Sequence, residues 1–283
     1  MKEVFLRIYH QFLQIIVRLL CRLTGKGGGK FTRLLVPGQT YLINNYCGNL
    51  NLNIDTSYPM ESSIWLAGVY EVITTKFLKE VIREGDVFLD IGANCGALTL
   101  VAANLIGKGK VYAFEPGPKV RERLQSNINL NPHLQDIITV IPQGLGLNQE
   151  QVFYNEDLNY RGNGSLYEPQ GIPVEILALD QWVAREKLEK IDLLKIDVEG
   201  MEYDVLRGGK TVLETYQPII YFETLPIFYE TSLHNIKTIY EFLESLGYKI
   251  VRPTKPHSEV SFIGPYPANS VAIPASKMER LFK

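Results

Sequence analysis

The sequence predicts an α/β fold: a mostly parallel, twisted sheet with helices on both faces, preceded by an N-terminal helix and a hairpin. Three observations carry this. The apolar run Val87-Phe-Leu-Asp90 turns through Ile91-Gly92-Ala-Asn94-Cys-Gly96 into the helical pattern Leu98-Thr-Leu-Val-Ala-Ala. A second run, Val111-Tyr-Ala-Phe-Glu115-Pro116, also closes on an acid. From there strand-like and helix-like segments alternate to the C-terminus, which requires crossover connections and strands buried on both faces.

Taken in order, positions 4–23 are mostly apolar, with Arg7, Gln11, Gln14, Arg18 and Arg22 forming one polar stripe at helical spacing. The uncharged run between Arg7 and Arg18 is too short to span a bilayer, and no small-residue cleavage site follows it. Such a helix can pack on its own domain or on a partner subunit, a homo-oligomer included. It can also lie flat in a membrane interface as a peripheral contact. Gly25-Lys-Gly-Gly-Gly-Lys30 reads as a linker; Phe31 after Lys30 breaks the phosphate-loop pattern. Positions 40–54 alternate around Cys47-Gly48-Asn49, a hairpin signal, and 64–82 carry helical periodicity that stops before Gly85. The expected organisation is therefore 1–30 as helix and linker, 31–83 as hairpin and lead-in helix, and 84–283 as the main domain.

Within that domain strands are expected over 87–90, 110–115, 137–141, 174–179, 192–197 and 218–223. Helices are expected over 96–106, 118–130, 181–188, 201–213 and 235–246. Segments 151–154 and 165–167 suggest an inserted hairpin, and 248–251 with 270–274 a final pair that includes an antiparallel strand.

The chain of 283 residues has a net charge of −2, which argues against nucleic-acid binding through a basic face. Its three cysteines (Cys21, Cys47, Cys95) have no metal-ligand spacing and suggest a reducing, cytoplasmic setting. The scattered His10, His133, His234 and His257 weaken a zinc reading.

A dinucleotide loop needs three glycines, so that a pyrophosphate can approach backbone amides. Here the spacing is Asp90-x-Gly92-x-Asn94-x-Gly96, and Asn94 can take the left-handed turn that such a loop needs. An acid at Asp90 repels pyrophosphate but suits the ammonium of a methionine moiety, directly or through water. Glu115 can accept from both ribose hydroxyls. Together they point to S-adenosylmethionine. The alternative for Gly92 and Gly96 is a tight turn only, and for Asn94 a helix cap.

These residues resemble the FkbM-type S-adenosylmethionine-dependent methyltransferases. The likeness runs through Asp90–Gly96, Ala113-Phe-Glu-Pro-Gly-Pro118, Asn127-x-x-x-Asn131, Ile191-Asp-Leu-Leu-Lys-Ile-Asp-Val-Glu-Gly200, Val205-Leu-Arg-Gly-Gly209 and Pro218-Ile-Ile-Tyr-Phe-Glu223. Gly68-Val-Tyr-Glu71 resembles the family's lead-in. The resemblance implies a class I methyltransferase (Rossmann-like) fold and O-methylation of sugars or natural products. One departure is Gln143-Gly144-Leu-Gly146, where many members carry alanine.

The expected cofactor contacts are Glu71, Asp90, Gly92, Asn94, Gly96, Glu115, Pro116 and Gly144. Asp197 is the first candidate for base or metal ligand, Glu199 and Glu223 the second, and Lys195 an orienting cation paired with Asp197 or Glu223. A lysine inside an apolar strand needs such a partner; the structural alternative is an ion pair with a capping acid. Three strand-end oxygens could hold Mg²⁺, but the sequence specifies no ligand geometry and a metal is not favoured. Tyr154, Tyr160, Arg161 and Tyr167 on the insertion, and Phe228 and Tyr229 after Glu223, are candidates to face a small-molecule or glycan acceptor. Two further readings stand beside this one. One is a membrane-surface adaptor without turnover. The other is a nucleic-acid N-methyltransferase, against which Asp197-Val-Glu-Gly200 replaces the expected Asp/Asn-Pro-Pro-aromatic turn.

Overall fold

The structure is a computed structural model; it describes residues 12, 15–16, 38–155, 165–166, 171–229 and 235–281. Most of the helix expected over 4–23, the linker expected over 25–30, and Tyr160, Arg161 and Tyr167 lie outside the described residues. Phe12, Ile15 and Ile16 are described, helical and exposed.

Strands β1 (Thr40–Tyr46) and β2 (Leu50–Asp55) form the antiparallel hairpin. Helices α1 (Pro59–Ala67) and α2 (Val72–Val81) follow. The single helix expected over 64–82 is thus two, because Gly68 closes α1 in the left-handed region (φ 79°) and Glu71 enters α2 at φ 39°. Periodicity alone carries across such a break, since both helices bury apolar residues on the same side.

The main sheet begins with β3 (Val87–Ile91), helix α3 (Ala97–Ile106), β4 (Lys110–Phe114), helix α4 (Pro118–Asn129) and β5 (Ile138–Ile141). A second, small sheet comes next, built from β6 (Gly144–Gly146), β7 (Glu150–Asn155), β8 (Ser165–Leu166) and β9 (Ile172–Ala178). β7 and β8 are the expected inserted hairpin. The strand expected over 174–179 is β9, and it pairs with β6 and β7 in the small sheet.

Helix α5 (Leu179–Glu186) leads to β10 (Leu193–Ile196), then α6 (Glu202–Gly208) and α7 (Lys210–Tyr216). The helix expected over 201–213 is split at Gly208-Gly209. A Cβ on Gly208 would lie 2.1 Å from the Gly146 carbonyl oxygen, and one on Gly209 2.7 Å from Leu179 Cδ2. Close approach of β6 and α5 breaks the helix there, and Asp180 caps the start of α7 by accepting from the amides of Thr211 and Val212 at 3.0 and 2.9 Å. The chain ends with β11 (Ile219–Glu223), α8 (Pro226–Tyr229), α9 (Ile236–Ser245), β12 (Tyr248–Val251) and β13 (Asn269–Pro274).

The seven-stranded sheet runs β12-β13-β11-β10-β3-β4-β5. β11, β10, β3, β4 and β5 are parallel, and β13 lies antiparallel between β11 and β12. Side chains alternate between two cores. Phe88, Leu193, Ile219 and Tyr221 face the hairpin, α1, α2 and α3. Leu89, Ile91, Leu194, Ile196, Ile220 and Phe222 face α5, α6, α7 and α9. This is the doubly covered, Rossmann-like architecture expected of a class I methyltransferase.

Asn127 of α4 and Asn131, just past its C-terminus, bind the hairpin to this body. Asn127 accepts from the Asn53 amide (2.7 Å) and donates to its carbonyl (3.1 Å); Asn131 does the same for Asn51 at 2.8 and 2.7 Å. Their side-chain amides stand in for a neighbouring strand and satisfy backbone groups of β2 that would otherwise be orphaned on packing. Asn127 also donates to the Cys95 carbonyl at 2.8 Å, so one side chain ties the hairpin to the glycine loop.

Candidate active site

The site lies at the carboxyl edge of the parallel strands, where ligands collect in open α/β sheets. After β3 the chain turns through Gly92 (φ 80°), Asn94 (φ 54°) and Gly96 (φ 86°), all left-handed. At Gly92 no other residue fits: a Cβ would meet the Asp197 carbonyl oxygen at 2.0 Å, because the Asp197 amide already bonds the Ile91 carbonyl at 3.1 Å. Asn94 turns its Oδ1 onto the Cys95 amide at 2.7 Å. Its own amide donates to Glu115 Oε2 at 2.9 Å. Cys95 is buried packing beneath the loop, and burial pushes its thiol up.

Register brings three residues of adjacent strands into one row: Asp90 on β3, Lys195 on β10 and Tyr221 on β11. All three side chains turn to the α2/α3 face and are nearly closed to solvent, at 0%, 3% and 3% exposure. Lys195 Nζ donates to the Gly92 carbonyl at 2.8 Å and lies 3.2 Å from Asp197 Oδ2 and 3.5 Å from Asp90 Oδ1. Burial opposes its charge, but Asp197, Asp90 and Glu71 outweigh burial and hold the ammonium protonated above the usual lysine range. The partners of Lys195 are therefore Asp197 and Asp90. Asp90 sits beneath the loop, with Oδ2 accepting from Thr99 at 2.6 Å, and not at its mouth.

Glu71 joins Asp197 and Asp90 around this ammonium, and Glu199 and Glu223 stand close enough to Asp197 to feel its charge. Glu71 is half-buried; burial and then Asp197 raise its carboxyl. Glu223 ends β11 with Oε2 buried and unbonded, and burial, Asp197 and Glu202 hold its carboxyl well above the carboxylate range. Glu199 is exposed, at φ 54°. The loop from Asp197 to Gly200 is fixed from behind by Glu202, a fully buried acid in the first turn of α6. It accepts from the Val198 and Gly200 amides at 3.0 Å each and from the Tyr229 hydroxyl at 2.5 Å. Glu202 was not singled out by sequence; its only signal was an acid in a first helical turn, common for other reasons. Tyr229 packs against this acid and does not line an acceptor pocket. Tyr154 likewise is buried in the small sheet with Val152, Val174 and Ile176, which removes it as an acceptor contact.

Glu115, one strand over, accepts from the amides of Asn94 and Gly117 at 2.9 Å each. Burial pushes it up to about 7 despite those two bonds. Pro116 and Gly144 meet beside it: a Cβ on Gly144 would lie 3.6 Å from Pro116 Cγ and 2.6 Å from Ile176 Cδ1. The nearby Gln143 donates to Glu175 at 3.0 Å. Among the described residues, no group of three or more His, Cys, Asp or Glu is arranged to hold a metal ion. Nor is any described helix long and apolar enough to cross a membrane.

This donor set fits a cationic nucleoside such as S-adenosylmethionine. Glu71, Asp197, Glu199 and Glu223 outnumber the single ammonium at one end, and Glu115 with the Pro116–Gly144 notch stands at the other. A pyrophosphate would face those carboxylates, so a dinucleotide does not fit.

Buried acids give the protein a distinctive pH response. A carboxyl raised in the folded state keeps its proton longer there than in the unfolded chain. It therefore favours folding below its unfolded value and loses that contribution as pH climbs through the folded value. For Glu115 the window runs from 4.5 to about 7. The folding free energy of the ligand-free protein, read by urea denaturation, is expected to lose up to roughly 3 kcal/mol through Glu115 as pH rises across that window, with the thermal midpoint falling alongside, and Glu115→Gln to remove that part of the loss. A midpoint that rises instead would contradict the assignment.

Comparison with known proteins agrees with this geometry. A family model described as the methyltransferase FkbM domain matches residues 90–250. Hexuronic acid methyltransferase AglP of Haloferax volcanii is 29% identical over 158 residues, covering 55% of this chain and 62% of that protein. The 2-O-methyltransferase NoeI of Sinorhizobium fredii is 31% identical over 146 residues, covering 45% and 58%. The chain thus spans about three fifths of the length of these two relatives. The crystal structure of methyltransferase FkbM from Methylobacillus flagellatus is 14% identical and overlaps 75% of this chain and 52% of that one at a TM-score of 0.46, too loosely to compare single positions. With the family model spanning more than half its length, from Asp90 at the end of the first core strand to the edge strand β12, the chain belongs to the FkbM methyltransferase family.

Proposed function

We propose that this protein transfers a methyl group from S-adenosylmethionine to a hydroxyl oxygen of a sugar, glycan or related natural product. One observation carries the reading. The Asp90-x-Gly92-x-Asn94-x-Gly96 turn after β3, the buried Lys195 and the acids Glu71, Asp197, Glu199 and Glu223 gather at one strand edge, with Glu115 just past the neighbouring strand β4. The name of the relative AglP, a hexuronic acid methyltransferase, supports a sugar acceptor, and that of NoeI, a 2-O-methyltransferase, supports transfer to oxygen.

When bound, S-adenosylmethionine supplies a methyl on a positively charged sulfur, open to direct displacement. The chain's own residues then do three things. Glu71 meets the ammonium of the methionine end, while Asp90 acts from below by holding Lys195. Glu115 accepts from the ribose hydroxyls, with Asn94 and Gly96 shaping the loop and Pro116 and Gly144 flanking the base. Asp197 accepts the proton of the acceptor hydroxyl, oriented by Lys195, with Glu199 and Glu223 on either side; general-base assistance of this kind contributes about 10²–10⁴-fold. Alignment of the two reactants supplies much of the remainder.

Calorimetry with S-adenosylmethionine and S-adenosylhomocysteine tests the cofactor, and transfer of labelled methyl into cell extract, followed by product mass and hydrolysis, tests the acceptor class. Absence of binding to either compound overturns the reading. Peripheral contact with a membrane through residues 4–23 is compatible with it, supported by the exposed Phe12, Ile15 and Ile16. Sedimentation with anionic vesicles should be lost on deleting residues 1–24, with methyl transfer to a soluble acceptor retained; equal sedimentation of both forms removes this contact.

A further inference from the structure

We propose that Tyr221 and Thr74 are positioning residues that aim Glu71 at the ammonium end of the methyl donor. The inference rests on the reading of Glu71 as a cofactor contact and names what holds it. Tyr221 is the third member of the cross-strand row, paired in register with Lys195, and at 3% exposure its hydroxyl has no route to bulk water. That hydroxyl lies 2.6 Å from Thr74 Oγ1. Thr74, 1% exposed, donates from the same oxygen to Glu71 Oε2 at 2.6 Å.

A threonine hydroxyl carries one proton. With that proton given to Glu71, its oxygen can only accept, so Tyr221 donates to it. Both O–H bonds then point along the chain toward the carboxylate. A hydrogen-bond series of this kind, shielded from water, is stronger than its members taken singly. It anchors Glu71 to the central sheet across the gap between β11 and α2, where Phe77 also packs on the Tyr221 ring at 5.4 Å between centroids.

The backbone of Glu71 points the same way. It occupies the N-cap of α2, where a polar side chain ordinarily accepts from the helix's first amides. Glu71 makes no such bond. It takes a left-handed φ of 39°, an arrangement costly to a residue with a Cβ, and turns its carboxylate to Thr74 and the basin holding Lys195 and Asp197. Strain at a residue with no capping bond is expected where the side chain's direction matters more than local stability.

The test compares three ligands by calorimetry: S-adenosylmethionine, S-adenosylhomocysteine and methylthioadenosine, which keeps the nucleoside but lacks the amino acid end. Thr74→Val and Tyr221→Phe should each weaken the first two about tenfold and leave methylthioadenosine unchanged. Thr74→Ser, which keeps the hydroxyl, should bind all three as the unmodified chain does. Glu71→Gln is the control. If Glu71→Gln binds S-adenosylhomocysteine normally, Glu71 is no cofactor contact and the proposal falls with that reading. If Glu71→Gln weakens binding while Thr74→Val and Tyr221→Phe do not, the positioning role alone is overturned. Equal weakening of methylthioadenosine would show a general structural role and overturn it too. Should Thr74→Val fail to fold, Tyr221→Phe, which removes a single oxygen, decides the matter.

Discussion

Asp197→Asn is expected to lower methyl transfer by about 10²–10⁴-fold while leaving S-adenosylhomocysteine affinity within a factor of a few. The substitution keeps the shape of the side chain and removes only its ability to take a proton. Asp197 is the carboxylate that follows β10 directly, and at 21% side-chain exposure it is the more accessible of the two acids held by Lys195. Lys195 retains the Gly92 carbonyl at 2.8 Å and Asp90 at 3.5 Å when Asp197 loses its charge, so the glycine loop should stay in place. Single-turnover transfer of labelled methyl, read alongside calorimetry, separates the two effects. Unchanged turnover would remove Asp197 from proton transfer and leave Glu223, with its unbonded buried oxygen, as the next candidate.

Lys195→Met should cost about 3–5 kcal/mol of folding stability, because it strands an acid that has no water to turn to. Asp90 is 0% exposed, with one oxygen bonded to Thr99 and the other facing only the lysine. A methionine of similar length fills the space, so the loss reports the missing charge and not a cavity. Urea denaturation gives the number. Adding Asp90→Asn should recover part of it, with a coupling of about 0.5–3 kcal/mol between the two positions. A loss below about 1 kcal/mol for the single variant, or simple additivity in the double, would mean that the row is not an electrostatic unit.

The row also shows where reading along the chain stops. The turn after β3, the acids closing β3 and β4, the hairpin and the antiparallel strand near the C-terminus were all legible, since each is specified by neighbours within a few positions. The break at Gly68–Glu71 was not, because two short helices burying one common face mimic a single periodic run. Gly208-Gly209 misled for another reason: what interrupts the helix is the backbone of β6, far away in the chain. The small sheet formed by β6 to β9 could not be told from a continuation of the main one, as an alternating strand pattern carries no address for its partner.

Among the candidate site residues, Asp90, Gly92, Asn94, Gly96, Glu115, Lys195, Asp197, Glu199 and Glu223 could be picked out because a strand end or a tight turn demands particular chemistry at a particular spacing. By itself, the sequence determined the fold class and the identity of these groups. Which of them meet was decided only by the tertiary structure. Strand register put Asp90, Lys195 and Tyr221 side by side from segments that share no local pattern, sank Asp90 below the loop, and brought Thr74 from a preceding helix to complete the chain to Glu71. The reason is physical: periodicity states which way a side chain faces, but hydrogen bonds and ion pairs depend on distances between segments that only the packed sheet brings together.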